Sequence, residues 1–299
     1  LDTAEMYPVN PVRAETVGLT EEILGRWIAR SGRRGEVTLA TKMTGPSGFV
    51  RDRAPIGPDT LVEAVEGSLR RLRTDVIDLY QLHWPNRGSY HFRQHWDYVP
   101  KGDRETIERE MVETLSAMTE LQRAGKVRHF GLSNETAWGT AAWLRLAEAT
   151  GGPRMVSIQN EYSLLCRQFD TDLAELAIHE QVGLLAFSPL AAGLLTGKYQ
   201  DGAIPPGSRG ALRADLGGRA TPRAFAAIDA YLGIARDHGL DPVHMALAFC
   251  AARPFMGSVI FGATSVTQLQ HILAGRDLTL PDEVLAAIGE AHKVHAMPY

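Results

Sequence analysis

Lys42, His83, the Ser133-Asn134 pair, the Gln159-Asn160 pair, Ser188 and Gly262 stand at the C-terminal ends of successive β-rich runs. Those runs are Val37–Lys42, Val76–His83, Lys126–Ser133, Arg154–Gln159, Val182–Ser188 and Ser258–Gly262. A lysine there can serve as a fixed charge or, deprotonated, as a Schiff-base nucleophile. An imidazole can donate, accept or exchange a proton. Hydroxyls and amides can hold a polar ligand. Each residue alone has a plainer reading. Most lysines are solvated surface charges, Asn134 can cap a following helix, and Gln159 can satisfy a backbone group. Ser265-Val266-Thr267-Gln268 has the form of a capping box. Recurrence at the same end of strand after strand points instead to one functional face.

The elements that must position these residues alternate. Between the β-rich runs lie helical periodicities: Leu61, Val65, Leu69 and Leu72, then Met111, Leu115 and Met118, then Leu173, Leu176 and Ala177. Thr60-Leu61-Val62-Glu63 reads as a capping box, and Pro281 as a first helical residue before Val284, Leu285 and Ile288. Regular βα alternation implies a parallel sheet, either open or closed into a barrel; in both, strand C-termini share one edge. Three stretches break the rhythm: Gly45–Pro58, Pro85–Arg104 with Tyr90, Phe92, Trp96 and Tyr98, and Gln200–Arg219. Loops of that length in a compact domain are usually functional. No composition break divides the 299 residues, so residues 1–299 read as one domain. A net charge of −4 leaves no basic footprint for nucleic acid. No run of apolar residues is long enough to span a membrane. Cys166 and Cys250 read as reduced thiols, which suits a cytoplasmic protein.

Taken together, certain segments resemble the aldo-keto reductase superfamily. They are Asp2-Thr3-Ala4-Glu5-Met6-Tyr7, Ala40-Thr41-Lys42, Leu79-Tyr80-Gln81-Leu82-His83-Trp84-Pro85 and Gly131-Leu132-Ser133-Asn134. Ile158-Gln159-Asn160-Glu161-Tyr162, Phe187-Ser188-Pro189-Leu190, Leu194-Leu195-Thr196-Gly197-Lys198-Tyr199 and Gly262-Ala263-Thr264-Ser265 continue the likeness along the whole chain. It is strongest with the bacterial Tas-like branch, itself similar to voltage-gated potassium channel β subunits. The resemblance implies a single (β/α)8 barrel of the TIM type and an NADPH-dependent reduction of a small-molecule carbonyl. It implies a catalytic set of Asp2, Tyr7, Lys42 and His83. Tyr7 would donate the proton, since a nearby ammonium favours phenolate and makes a phenol a better acid. Lys42 would supply that charge, Asp2 would pair with Lys42, and His83 would orient the carbonyl oxygen. Asp2 and Tyr7 are expected on one loop.

The same resemblance assigns Ser133, Asn134 and Gln159 to the nicotinamide carboxamide and Phe187 to stacking on the ring. Ser188, Leu190, Ala191 and the Gly193 turn would line the pyrophosphate, with Lys198 reaching its charge. Gly262, Thr264, Ser265 and Gln268 would cradle the adenosine phosphate at a helix N-terminus. Arg209 would take the 2′-phosphate, because its fork matches phosphate oxygens. Ile272 stands where relatives carry an asparagine that meets the adenine. Relatives also carry a further N-terminal segment with the first barrel strand, which the natural protein is expected to have. Without it the barrel would expose unpaired edges. Other readings are a nucleotide-sensing regulatory partner resembling the channel β subunits, or a lyase forming a Schiff base on Lys42. No metal is implied, and an oligomer is compatible with the family.

Overall fold

The computed structural model describes the whole chain, Leu1–Tyr299. It comprises two compact units, Leu1–Gln159 and Asn160–Tyr299. In the first unit, helix α1 (Leu19–Ser31) precedes strand β1 (Ala40–Met43), helix α2 (Pro58–Leu72) and strand β2 (Ile77–Leu82). Helix α3 (Arg104–Arg123), strand β3 (Val127–Ser133) and helix α4 (Ala137–Thr150) follow, and the division between units falls inside strand β4 (Met155–Glu161). The strands of this unit lie in sequence order and are all parallel. The second unit contains helix α5 (Asp172–His179), strand β5 (Gly183–Phe187), the short helix α6 (Arg209–Leu212) and helices α7 (Pro222–Asp237) and α8 (Pro242–Ala251). Strand β6 (Met256–Ile260), parallel to β5, helix α9 (Val266–Ala274) and helix α10 (Asp282–Val294) complete it.

The apolar stripes read from the sequence are the buried faces of their helices. Leu61, Val65, Leu69 and Leu72 are buried on α2, Met111, Leu115 and Met118 on α3, and Val284 and Ile288 on α10. Two helix starts differ from expectation. Gly57, not Thr60, caps α2. Pro58 fills its first position, where a missing N–H costs nothing, and the Thr60 hydroxyl accepts the Gly57 N–H at 2.9 Å. Pro281 is itself the cap of α10, which begins one residue later. Strand β6 begins at Met256 rather than Ser258. Gly183 and Gly257 lack the side chains that would hold the strands apart there, so Leu184 pairs with Met256.

The largest departure concerns the first residues. Leu1–Glu5 is not a free loop but runs parallel along β1. Ala40 N–H donates to the Leu1 carbonyl at 2.8 Å, Thr3 N–H to Ala40 at 2.9 Å and Glu5 N–H to Lys42 at 3.1 Å. Asp2 therefore stands on a paired extended segment beside β1, and Tyr7 follows where that pairing ends.

A buried carboxylate holds β1 in place from behind. Glu21 of α1 accepts from the Thr41 hydroxyl and from Arg71 Nε of α2, each at 2.6 Å. The two helices can approach because position 25 has no side chain. A Cβ on Gly25 would lie 2.1 Å from the Arg71 carbonyl oxygen, a backbone atom with nowhere to go. Gly25→Ala should therefore destabilise the protein by about 1–3 kcal/mol through overpacking, despite alanine's better helix propensity. Urea unfolding checks this; an unchanged or raised midpoint would mean that the helices separate at no cost.

Candidate active site

Strand alternation selects the residues that meet in the first unit. In β2 the side chains of Leu79, Gln81 and His83 fall on one face because successive residues point to opposite sides. Lys42 of β1 is in register with Gln81 of β2, and Ser133 of β3 with Gln159 of β4. The parallel pairing thus brings Lys42, Gln81, His83, Ser133 and Gln159 to the C-terminal edge, beside Asp2.

Lys42 is fully buried. Its Nζ donates to Asp2 Oδ2 at 2.6 Å and to the Thr3 carbonyl at 2.8 Å. An ammonium has three N–H donors, so one remains. Nζ lies 5.3 Å from the centre of the Tyr7 ring. The other oxygen of Asp2, Oδ1, accepts from Gln159 Nε2 at 2.9 Å and from Gln81 Nε2 at 3.2 Å. Gln159 Nε2 also reaches Gln81 Oε1 at 3.2 Å. Both charges of the pair therefore have several hydrogen-bond partners, the condition for tolerating a buried ion pair. The expected pairing of Asp2 with Lys42 is present. The part played by Gln81 was not anticipated. Its signal was available: a fully polar residue two positions before His83 on a strand shares that histidine's face.

His83 packs edge-on against Tyr7, with ring centres 5.7 Å apart and planes at 74°. Its Nδ1 is buried without a partner. Burial, and then the charge of Lys42, hold the imidazole well below its ordinary pKa and so keep it neutral. A neutral ring carries one N–H and can offer it to a carbonyl oxygen. Asn134 follows β3 with a positive φ of 52°, which asparagine tolerates better than most residues. That conformation lets Nδ2 donate to the His83 carbonyl at 2.9 Å and to Ser133 Oγ at 3.1 Å, while Ser133 Oγ donates to the Gln159 carbonyl at 2.8 Å. Asn134 Oδ1 is buried and unpartnered. The helix cap expected of Asn134 comes from Thr136, whose hydroxyl accepts the Gly139 N–H.

In the second unit Phe187 ends β5. Ser188, Ala191 and Ala192 follow with positive φ of 55°, 47° and 59°, then Gly193 at 94°. Such conformations are costly for residues with side chains and cluster at functional turns. The amides of Ala191 and Gly193 close this turn on the Ser188 and Leu190 carbonyls. Glycine at 193 leaves room for Lys198, whose Nζ would lie 3.0 Å from a Cβ there. Arg209 is exposed at the start of α6. Ser265 caps α9 by accepting the Gln268 N–H, and Gln268 Oε1 turns back to accept from the Thr264 N–H and hydroxyl. Gly262, Thr264, Ser265 and Gln268 are all exposed. Ile272 is the one buried residue of α9, facing inward as its anchor.

The profile of the Aldo/keto reductase family matches residues 1–293. The chain belongs to the aldo/keto reductase family. Among similar proteins, "Protein tas" of Escherichia coli (strain K12) is 44% identical over 307 residues, covering 100% of this chain and 86% of that protein. "Uncharacterized oxidoreductase YrpG" of Bacillus subtilis (strain 168) is 31% identical, covering 97% of this chain and 81% of the relative. A "Probable voltage-gated potassium channel subunit beta" of Arabidopsis thaliana is also 31% identical, covering 93% and 77%. This aldo/keto reductase is accordingly an oxidoreductase with the α/β, (β/α)8-type fold of its family. No helix is long and apolar enough to cross a membrane.

The depressed His83 pKa has a consequence for stability. Below the ordinary imidazole pKa of about 6.5 the unfolded chain takes up a proton there that the folded chain refuses. The contribution from His83 is therefore fully present above that pH and declines as the pH falls below it. Chemical unfolding between neutral and mildly acid pH should show a shallower decline for His83→Asn than for the parent. Equal slopes would mean that the buried ring charges freely.

Proposed function

We propose that this aldo/keto reductase reduces aldehydes or ketones to alcohols with NADPH, using Tyr7 as general acid. The observation that supports this best is the cluster around Lys42. A buried ammonium fixed by Asp2 lies beside a phenol, and the phenol packs on a neutral imidazole. When bound, the nicotinamide supplies hydride to the carbonyl carbon. The protein must then deliver a proton to the carbonyl oxygen and stabilise the charge that develops there. The His83 N–H orients that oxygen, and the Tyr7 hydroxyl gives it the proton. Lys42 steadies the negative charge left on the phenol, and Asp2, held by Gln81 and Gln159, keeps the ammonium in position. The firm ion pair of Lys42 argues against a Schiff-base lyase, which needs a free amine.

The residues suit the dinucleotide. Asn134 Oδ1 is a buried acceptor lacking a donor, as a carboxamide NH2 would provide. Ser133 and Gln159 flank it. In the second unit, Phe187 would stack on the ring. Ser188, Leu190, Ala191, Gly193 and Lys198 would meet the pyrophosphate, and Gly262, Thr264, Ser265 and Gln268 the adenosine phosphate. The exposed guanidinium of Arg209 favours NADPH over NADH.

Tyr7→Phe should still bind NADPH but lose about 10²–10⁴-fold in aldehyde reduction, followed by nicotinamide absorbance. Reduction at the parent rate would remove Tyr7 as the proton donor. If the parent itself binds NADPH tightly yet turns over no reactive aldehyde, a nucleotide-sensing role is favoured instead. For cofactor choice, Arg209→Ala should weaken NADPH binding at least tenfold more than NADH binding, measured by fluorescence titration. Equal weakening would place the 2′-phosphate elsewhere.

A further inference from the structure

Asp241, His244 and His271 form a cluster in the second unit that carbonyl reduction does not use. Asp241 caps α8, and His244 lies in its first turn; His271 comes from α9. One ligand atom from each of the three lies within 4.8 Å of the others. His271 Nε2 is 3.2 Å from Asp241 Oδ2. Two ligands on a tetrahedral zinc at bond lengths of about 2.0–2.1 Å are separated by roughly 3.3 Å, so this edge of a coordination shell is already set.

Two features orient the side chains of the cluster. The carboxylate is divided between tasks. Oδ1 accepts the Val243 and His244 N–H groups at 2.8 and 3.1 Å, which fixes the orientation of Oδ2 toward His271. The His244 ring occupies space that only glycine at 275 leaves open, since a Cβ there would lie 2.3 Å from its Cγ. The ring lies 4.8 Å from that of His271, and its Nε2 meets the His271 carbonyl at 2.6 Å. To share an ion with the other two, His244 Nε2 would exchange that contact for the metal. His271 is exposed, so the remaining coordination position is open to water.

We propose that Asp241, His244 and His271 form a binding site for a borderline divalent transition metal such as Zn²⁺, Ni²⁺ or Co²⁺. Two imidazoles and one carboxylate are the donor set these ions prefer over Mg²⁺ or Ca²⁺, which take oxygen ligands. The ion ties α9 to α8. That attachment matters because α9 has a single buried anchor, Ile272, and bears the exposed Ser265 and Gln268 at its start.

The test is isothermal titration of the tag-free chain with ZnCl2 alone at neutral pH, beside His271→Ala and Asp241→Asn. His271 is exposed, and asparagine keeps the α8 cap, so both variants should fold. The parent should bind one equivalent of zinc. Each variant should bind at least tenfold more weakly, and zinc should slow amide hydrogen exchange in α9 of the parent. Failure of the parent to bind, or parent-like affinity in either variant, would leave an ordinary histidine–aspartate contact and overturn the site. Activity plays no part in this readout, so the result is independent of the reaction assigned above.

Discussion

An ammonium with no exposure to water is the constraint around which the first unit is arranged. Removing Lys42 and Asp2 from solvent costs several kcal/mol per ion before any gain, and the pair persists only if its remaining donors and acceptors are satisfied. The structure satisfies them from four directions: the Asp2 carboxylate, the Thr3 carbonyl, and the amides of Gln81 and Gln159 on the second carboxylate oxygen. Each partner depends on a backbone feature. Asp2 and Thr3 require the Leu1–Glu5 segment to pair along β1, and the two glutamines require the registers of β2 and β4. Behind β1, the Glu21 carboxylate holds Thr41, the residue before Lys42.

The same burial acts on the neighbouring imidazole. Burial does most to keep His83 neutral, and the charge of Lys42 adds to it. A charged imidazole beside the ammonium would repel it; a neutral one can lie there without conflict. The Tyr7–His83 edge contact sets the two rings at 74° to one another. In the reaction proposed above, donors held this way would need no reorganisation when charge develops.

The fold was readable wherever a period was strong. Helical stripes on α2, α3 and α10 and the polar residues ending β1, β2 and β3 all follow from spacing alone. Errors occurred where a local signal competed with tertiary pairing. Thr60 looks like a cap because its hydroxyl does bond backbone near the helix start, but from inside the first turn. Asn134 looks like a cap because it precedes a helix, yet its side chain serves the His83 carbonyl instead. The Asp2 stretch has no β-branched run to announce a strand; its extended path comes from hydrogen bonds exchanged with residues near position 40. Gln81 was hidden within a motif, although its two-residue offset from His83 marks its face.

The two units solve different problems with different materials. Proton transfer tolerates little misplacement, because a reacting atom moved by about 1 Å can cost 10²-fold in rate. Of the first-unit residues proposed for it, Lys42 and His83 are buried, and Lys42, on β1, is held by two hydrogen bonds. Holding phosphates is less exacting. Backbone amides and long cationic side chains attract an anion over a range of positions, and exposure lets the anion arrive hydrated and shed water gradually. In the second unit the residues proposed for that work run from buried Ala191 and half-buried Ser188, Leu190 and Gly193, on a left-handed turn after β5, to exposed Lys198 and the exposed start of α9.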